Sequence, residues 1–181
     1  TSNHTMTLRT SDDPTDLVSP LYTITASATA VTVGRVVVAP TRSTESASYQ
    51  ITFTLGSVGA LLAGNNTITV TFPAGTTVPA SILSSAVAVN GVTASSVITN
   101  PAARTVTVTT PLTFAGNSQV IVDFAVAAGI ENPGQGNHTL QVKTSAQSTN
   151  GVSALYTITT NTTLAVLSGL PNPSVLNANA G

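Results

Sequence analysis

Two histidines, six acidic residues and five basic residues carry nearly all the ionisable chemistry of this chain. Both histidines sit in the same tripeptide, Asn-His-Thr, at His4 and His138. A catalytic triad or a histidine-ligated metal needs partner groups on the same domain. Two copies of one motif do not supply them, so each histidine is expected to be structural or superficial. No G-x-S-x-G, H-E-x-x-H or glycine-rich phosphate loop occurs. The sequence therefore assigns no catalytic residue and no cofactor, and the expectation is a protein that is not an enzyme. Asp12, Asp13 and Asp16, in Thr-Ser-Asp-Asp-Pro-Thr-Asp, are the metal candidate, at a spacing that offers oxygen ligands to calcium. Asp123 and Glu131 form an acid/base pair of the glycosidase kind only if the fold brings them together. Lys143 is a candidate for an isopeptide crosslink, with an exposed strand lysine as the plainer reading. Four Asn-x-Ser/Thr sequons, at Asn3, Asn65, Asn137 and Asn161, are candidate glycosylation sites.

Composition removes other classes of function. Charged residues are 6% of the chain and the net charge is −1. That leaves no electrostatic footprint for nucleic acid or for an anionic membrane. With no cysteine there is no disulfide framework and no thiolate chemistry. No apolar run approaches the ~18 residues of a membrane-spanning helix. Apolar residues at 41% suffice for a core, and the 33 Thr and 19 Ser replace charge as the source of polarity.

The elements that position these residues are strands. Ile51, Phe53 and Leu55 alternate with polar neighbours, as do Ile68, Val70 and Phe72, and Val106 and Val108. In the run Val120, Val122, Phe124, Val126, the alternation turns Asp123 to the opposite face. Thr fills the other face of most strands, being β-branched and polar together. Asn90-Gly91 between two valine-rich runs is a tight hairpin turn. Pro73-Ala-Gly75, Asn100-Pro101 and Asn132-Pro133-Gly134 break other strands. The one helix-like stretch, Pro79–Ala86, is a turn or two at most. About eight short strands at this spacing predict an all-β, immunoglobulin-like β-sandwich, and the absence of Cys and Trp excludes the antibody-type variant.

Asn3–Thr25 and Asn137–Thr159 align without a gap at an offset of 134, with 13 identities in 23 positions, including Asn-His-Thr and Leu-Tyr-Thr-Ile-Thr. A period of about 134 residues exceeds that of solenoids, so the repeating unit is a whole domain. The expected organisation is closing strands of a preceding repeat (1–25), one complete repeat (26–159) and the opening strand of a next one (160–181). The matches of Asp12, Asp13 and Asp16 in the second copy are Ala146, Gln147 and Asn150. That favours a solvated turn over a calcium site common to every junction.

The segment 39–79, with Val-Asn-Gly-Val (89–92), Arg-Thr-Val-Thr-Val (104–108) and Ala-Gly-Ile-Glu-Asn-Pro (128–133), resembles Thr-rich Ig-like repeats. Such repeats occur in tandem in large bacterial and archaeal cell-surface and S-layer-associated proteins. The resemblance implies an extracellular stalk, filament or surface layer. Its partners are then neighbouring copies of the same repeat or subunit, with surface glycans as further candidates. Strands exposing unpaired backbone need partners. The assembly strands are read as those bearing Leu21, Tyr22 and Ile24, Leu155, Tyr156 and Ile158, and Leu164 and Val166. The alternative, an adhesin or carbohydrate-binding module, needs a concave site with aromatic platforms. Only Tyr22, Tyr49 and Tyr156 offer an aromatic ring with a polar tip.

Overall fold

The computed structural model describes residues 2–24 and 30–160. Asn161, Leu164 and Val166 lie outside the described residues, as does the junction before Ala30. The described protein is all-β, and its helical content is two single 3₁₀ turns, Ser84–Ala86 and Val126–Ala128. The first falls within the expected helix-like stretch. The second ends the strand carrying Phe124 two residues earlier than the alternation suggested, which leaves Val126 exposed.

Residues 2–24 form four short strands: β1 (Ser2–His4), β2 (Thr7–Leu8), β3 (Leu17–Val18) and β4 (Tyr22–Ile24). β1 pairs with β4 and β2 with β3, both antiparallel. In 30–160 the strands are β5 (Thr32–Ala39), β6 (Ser48–Thr54), β7 (Thr67–Thr71), β8 (Val87–Val89), β9 (Val92–Thr93) and β10 (Ser96–Asn100). They continue with β11 (Thr105–Thr109), β12 (Gln119–Phe124), β13 (Gly136–His138), β14 (Gln141–Thr144), β15 (Gly151–Val152) and β16 (Tyr156–Ile158). One antiparallel sheet has the order β5-β6-β12-β8-β9 and another β10-β11-β7-β14-β15, while β13 and β16 form a two-stranded ladder.

Both five-stranded sheets turn their apolar alternates inward. β6 gives Tyr49, Ile51 and Phe53, and β12 gives Val120, Val122 and Phe124. From the other sheet come Ile68, Val70, Val106, Val108 and Val142, each fully buried. All of them belong to one core cluster, so the architecture is sandwich-like. The Phe72 ring stands edge-on to Tyr49 and Phe124, with centroids 5.1 and 5.8 Å away. The Asn90-Gly91 turn joins β8 to β9 with both residues at positive φ, 47° and 78°, as a two-residue hairpin of this hand requires.

Polar pins fix the sandwich where strands leave it. The Tyr49 hydroxyl donates to Asn132 Oδ1 at 2.6 Å, and Asn132 Nδ2 donates to the carbonyls of Pro40 and Arg42, both at 2.8 Å. Burial pushes the phenol pKa of Tyr49 well above its ordinary value near 10, and Tyr156 repels it further. Burial pushes Tyr156 up as well. The unfolded chain ionises both phenols near pH 10, whereas the folded chain keeps them protonated beyond it. Their contribution to stability is complete below pH 10 and is lost as the pH rises above it. Each tyrosine should then cost about 1.4 kcal/mol of unfolding free energy per pH unit. Urea unfolding followed from neutral to alkaline pH, alongside tyrosinate absorbance, checks this. Unchanged urea midpoints above pH 10 would contradict the buried placement of the two rings.

Candidate functional site

The residue types available for chemistry do not converge. Among the described residues no three of His, Cys, Asp and Glu come together as a metal set. Asp12, Asp13 and Asp16 lie in an exposed turn, where Asp13 Oδ1 accepts the Thr15 amide at 3.0 Å and the Asp13 amide donates to Thr10 Oγ1 at 3.0 Å. The Thr15 donors hold the Asp13 carboxyl below its usual range. Asp123 accepts from Gln50 Nε2 at 2.9 Å on the outer face of its sheet. Glu131 bridges instead to Ser46 and Thr77. His138 Nε2 contacts the Gly134 carbonyl oxygen at 2.8 Å, and its ring lies against Tyr156. Lys143 is exposed on β14, opposite Thr69. Asn3, Asn65 and Asn137 are all exposed.

Two outer faces are open to a ligand. On β7 and β11 the threonines face each other in register, Thr67 with Thr109, Thr69 with Thr107 and Thr71 with Thr105. The central pair is joined by a 3.1 Å hydroxyl hydrogen bond. A depression of about 390 Å³ on the other sheet is lined by Val37, Ser48, Gln50, Ala88 and Asp123. Tyr49 and Phe124 at its floor turn their rings into the core, at 1% exposure each. Tyr156 is also buried, so among the described tyrosines only Tyr22 offers an exposed ring.

The feature that stands out is a pair of segments. The residues at 2–24 and 136–158 fold identically at the offset of 134. Ser2, Asn3 and His4 pair with Ile24, Thr23 and Tyr22. Gly136, Asn137 and His138 pair with Ile158, Thr157 and Tyr156. Thr7↔Val18 and Leu8↔Leu17 in the first segment match Gln141↔Val152 and Val142↔Gly151 in the second. The side-chain bonds repeat too. Thr23 Oγ1 donates to Asn3 Oδ1 at 2.9 Å, and Thr157 Oγ1 to Asn137 Oδ1 at 2.8 Å. Ser19 Oγ accepts the Met6 amide at 2.9 Å, and Ser153 Oγ the Leu140 amide at 3.0 Å. Asn3, Ser19 and Thr23, all retained in the second copy, therefore hold the segment's own shape.

The surroundings of the two segments differ completely. In the second, β14 pairs along β7, with Val142 opposite Val70, and Leu140, Val142, Tyr156 and Ile158 are in the core. In the first, Met6 is 64% exposed, Leu8 65% and Tyr22 43%, where the matching residues are at 1%, 0% and 8%. Met6, Leu8, Leu17, Val18 and Pro20 line an apolar groove of about 380 Å³. Of the residues read as assembly strands, Leu21 and Leu155 are exposed in both copies, while Tyr156 and Ile158 serve their own core. Leu21 and Tyr22 follow from the repeat and from the need of a closing strand for a partner. The bare Met6–Leu8 face was not singled out, although Met6 and Leu8 align with apolar residues of the second copy.

No helix among the described residues is long and apolar enough to cross a membrane. No family model matches the chain, and no curated protein matches it. Among solved structures it is similar to BslA, described as a bacterial hydrophobin, at 15% identity and a TM-score of 0.45, over 74% of this chain and 97% of that one.

Proposed function

We propose that this chain is a non-enzymatic structural segment of the cell surface. In this reading it is a repeat unit of an extracellular filament, stalk or surface layer, built from Thr-rich Ig-like repeats joined head to tail. The single observation that carries the reading is the same four-strand segment made twice, 134 residues apart, once seated in a sandwich and once with its apolar face bare. A closing segment of one shape that recurs at a fixed offset places one sandwich after another along a line, each closed by its own version of the segment. The neutral, hydroxyl-rich outer faces suit a spacer that meets water along its length without attracting counter-charges.

The test is location and size in the native cell. Antibody raised against 30–160 is expected to label the cell exterior in immunogold microscopy, along filaments, stalks or a continuous layer. The intact native assembly is expected to contain several such sandwiches in a row. Label confined to the cytoplasm would remove this reading. Saturable binding of one sugar class on a glycan array would move it to the adhesin class.

A further inference from the structure

We propose that 2–24 is the closing element of a second sandwich body, related to 30–135 but not identical with it. This rests on the reading of the chain as a head-to-tail repeat, and it names the partner of its bare face. The occupant is identified by the equivalent segment and the described residues that cover it. Residues 136–158 close their body by laying β14 along β7 and burying Leu140, Val142, Tyr156 and Ile158. Residues 2–24 have the same backbone pairing at every matched position. They also keep an apolar side chain at each of those four places: Met6, Leu8, Tyr22 and Ile24. A face of this shape fits an open β7-type edge above a Tyr- and Phe-lined core.

Two substitutions say which body it fits. Gly151 packs so closely on the start of β5 and the residue before it that a Cβ there would run into the Val31 carbonyl oxygen and stand 2.9 and 3.0 Å from Cγ2 of Val31 and of Val33. Position 17 holds leucine at the matching place. The backbone oxygen cannot rotate aside, so Leu17 excludes this body unless β5 moves. Gln147 is the second. It is buried at 1% exposure, its Oε1 accepts the Gly56 amide at 3.0 Å, and its Nε2 donates to the Ala30 carbonyl at 3.2 Å. Its counterpart Asp13 is one methylene shorter, is charged and has no N–H to donate. In this body it would leave the Ala30 carbonyl without that donor and place a carboxylate at a buried position. The partner body must therefore leave room for a leucine opposite position 17 and present donors at position 13. The segment thus selects its neighbour: identical copies of 30–135 are refused and a diverged sister is accepted.

The experiment adds a body to the full chain. Residues 30–135 are fused ahead of residue 2, so that the added body meets 2–24 in the natural register. Three versions are compared by hydrogen exchange and limited proteolysis of the added body. In the first, 2–24 is unchanged; in the second it carries L17G and D13Q; in the third it is replaced by the sequence of 136–158. The third version should protect the added body, on the order of 100-fold above the unfolded backbone. The L17G/D13Q version should approach that protection and the unchanged version should lack it. An unprotected body in the L17G/D13Q version, with the third version protected, overturns the closing role of 2–24. Equal protection in the unchanged version overturns the selection against this body. Neither of these results bears on where the protein resides, which the immunogold labelling reads separately. In the unfused chain, L17G/D13Q should leave the unfolding of 30–160 unchanged. Should the third version itself leave the added body unprotected, the body is not one that such a segment closes, and the proposal fails.

Discussion

Phe72→Ala and Phe124→Ala are each expected to lower the unfolding free energy of the sandwich by about 3–5 kcal/mol. Both rings are at 1% exposure, and Phe72 stands between Tyr49 and Phe124 in edge-on contact. Truncation removes the transfer energy of a whole ring and leaves a cavity that a close-packed core between two sheets closes only in part. Against a typical domain stability of about 5–15 kcal/mol the loss is large. Thr69→Ala provides the contrast. It gives up a 3.1 Å hydroxyl bond on an outer face, a change of about 1 kcal/mol or less. Urea denaturation of the three variants reads both effects. Similar losses at Phe72 and Thr69 would contradict the inward placement of Phe72 and the outward placement of Thr69.

Val142→Asp and Leu8→Asp are the same change at matching positions, and their effects are expected to be opposite in scale. Val142 is completely buried opposite Val70, so a carboxylate there has neither water nor a counter-charge. Burying an unpaired charge costs several kcal/mol, enough to detach the closing segment or unfold the sandwich. Leu8 is 65% exposed, and its replacement should alter the stability of 30–160 by no more than about 0.5 kcal/mol. Parallel thermal unfolding of the two variants decides the matter. Destabilisation of 30–160 by Leu8→Asp would mean that 2–24 already packs on its own chain's sandwich.

Much of the fold is legible in the sequence, for a physical reason. Alternation in a strand is a local code, because successive side chains point to opposite faces. That code alone points Ile51, Phe53, Ile68, Val70, Val106, Val122 and Phe124 inward, and all are buried. The Asn90-Gly91 turn was equally local, since both residues must take positive φ. The code failed at Val126, where a 3₁₀ turn ends the strand and an apolar residue continues the pattern without continuing the pleat.

The matched segments divide sequence from tertiary structure most sharply. The sequence by itself determined that 2–24 and 136–158 take one shape, because that shape is held by bonds inside the segment: Asn3 with Thr23, Ser19 with Met6, and their counterparts 134 residues on. It did not determine that Tyr156 is buried while Tyr22 is exposed, since both stand in Leu-Tyr-Thr-Ile-Thr. Nor did it reveal that Gly151 must be small or that Gln147 is a buried pin. Those facts depend on β5 and on the turn at Gly56, more than ninety residues away in the chain. Burial belongs to the surroundings of a residue and not to its neighbours in sequence. Only the tertiary structure decided which of two like segments has found its partner.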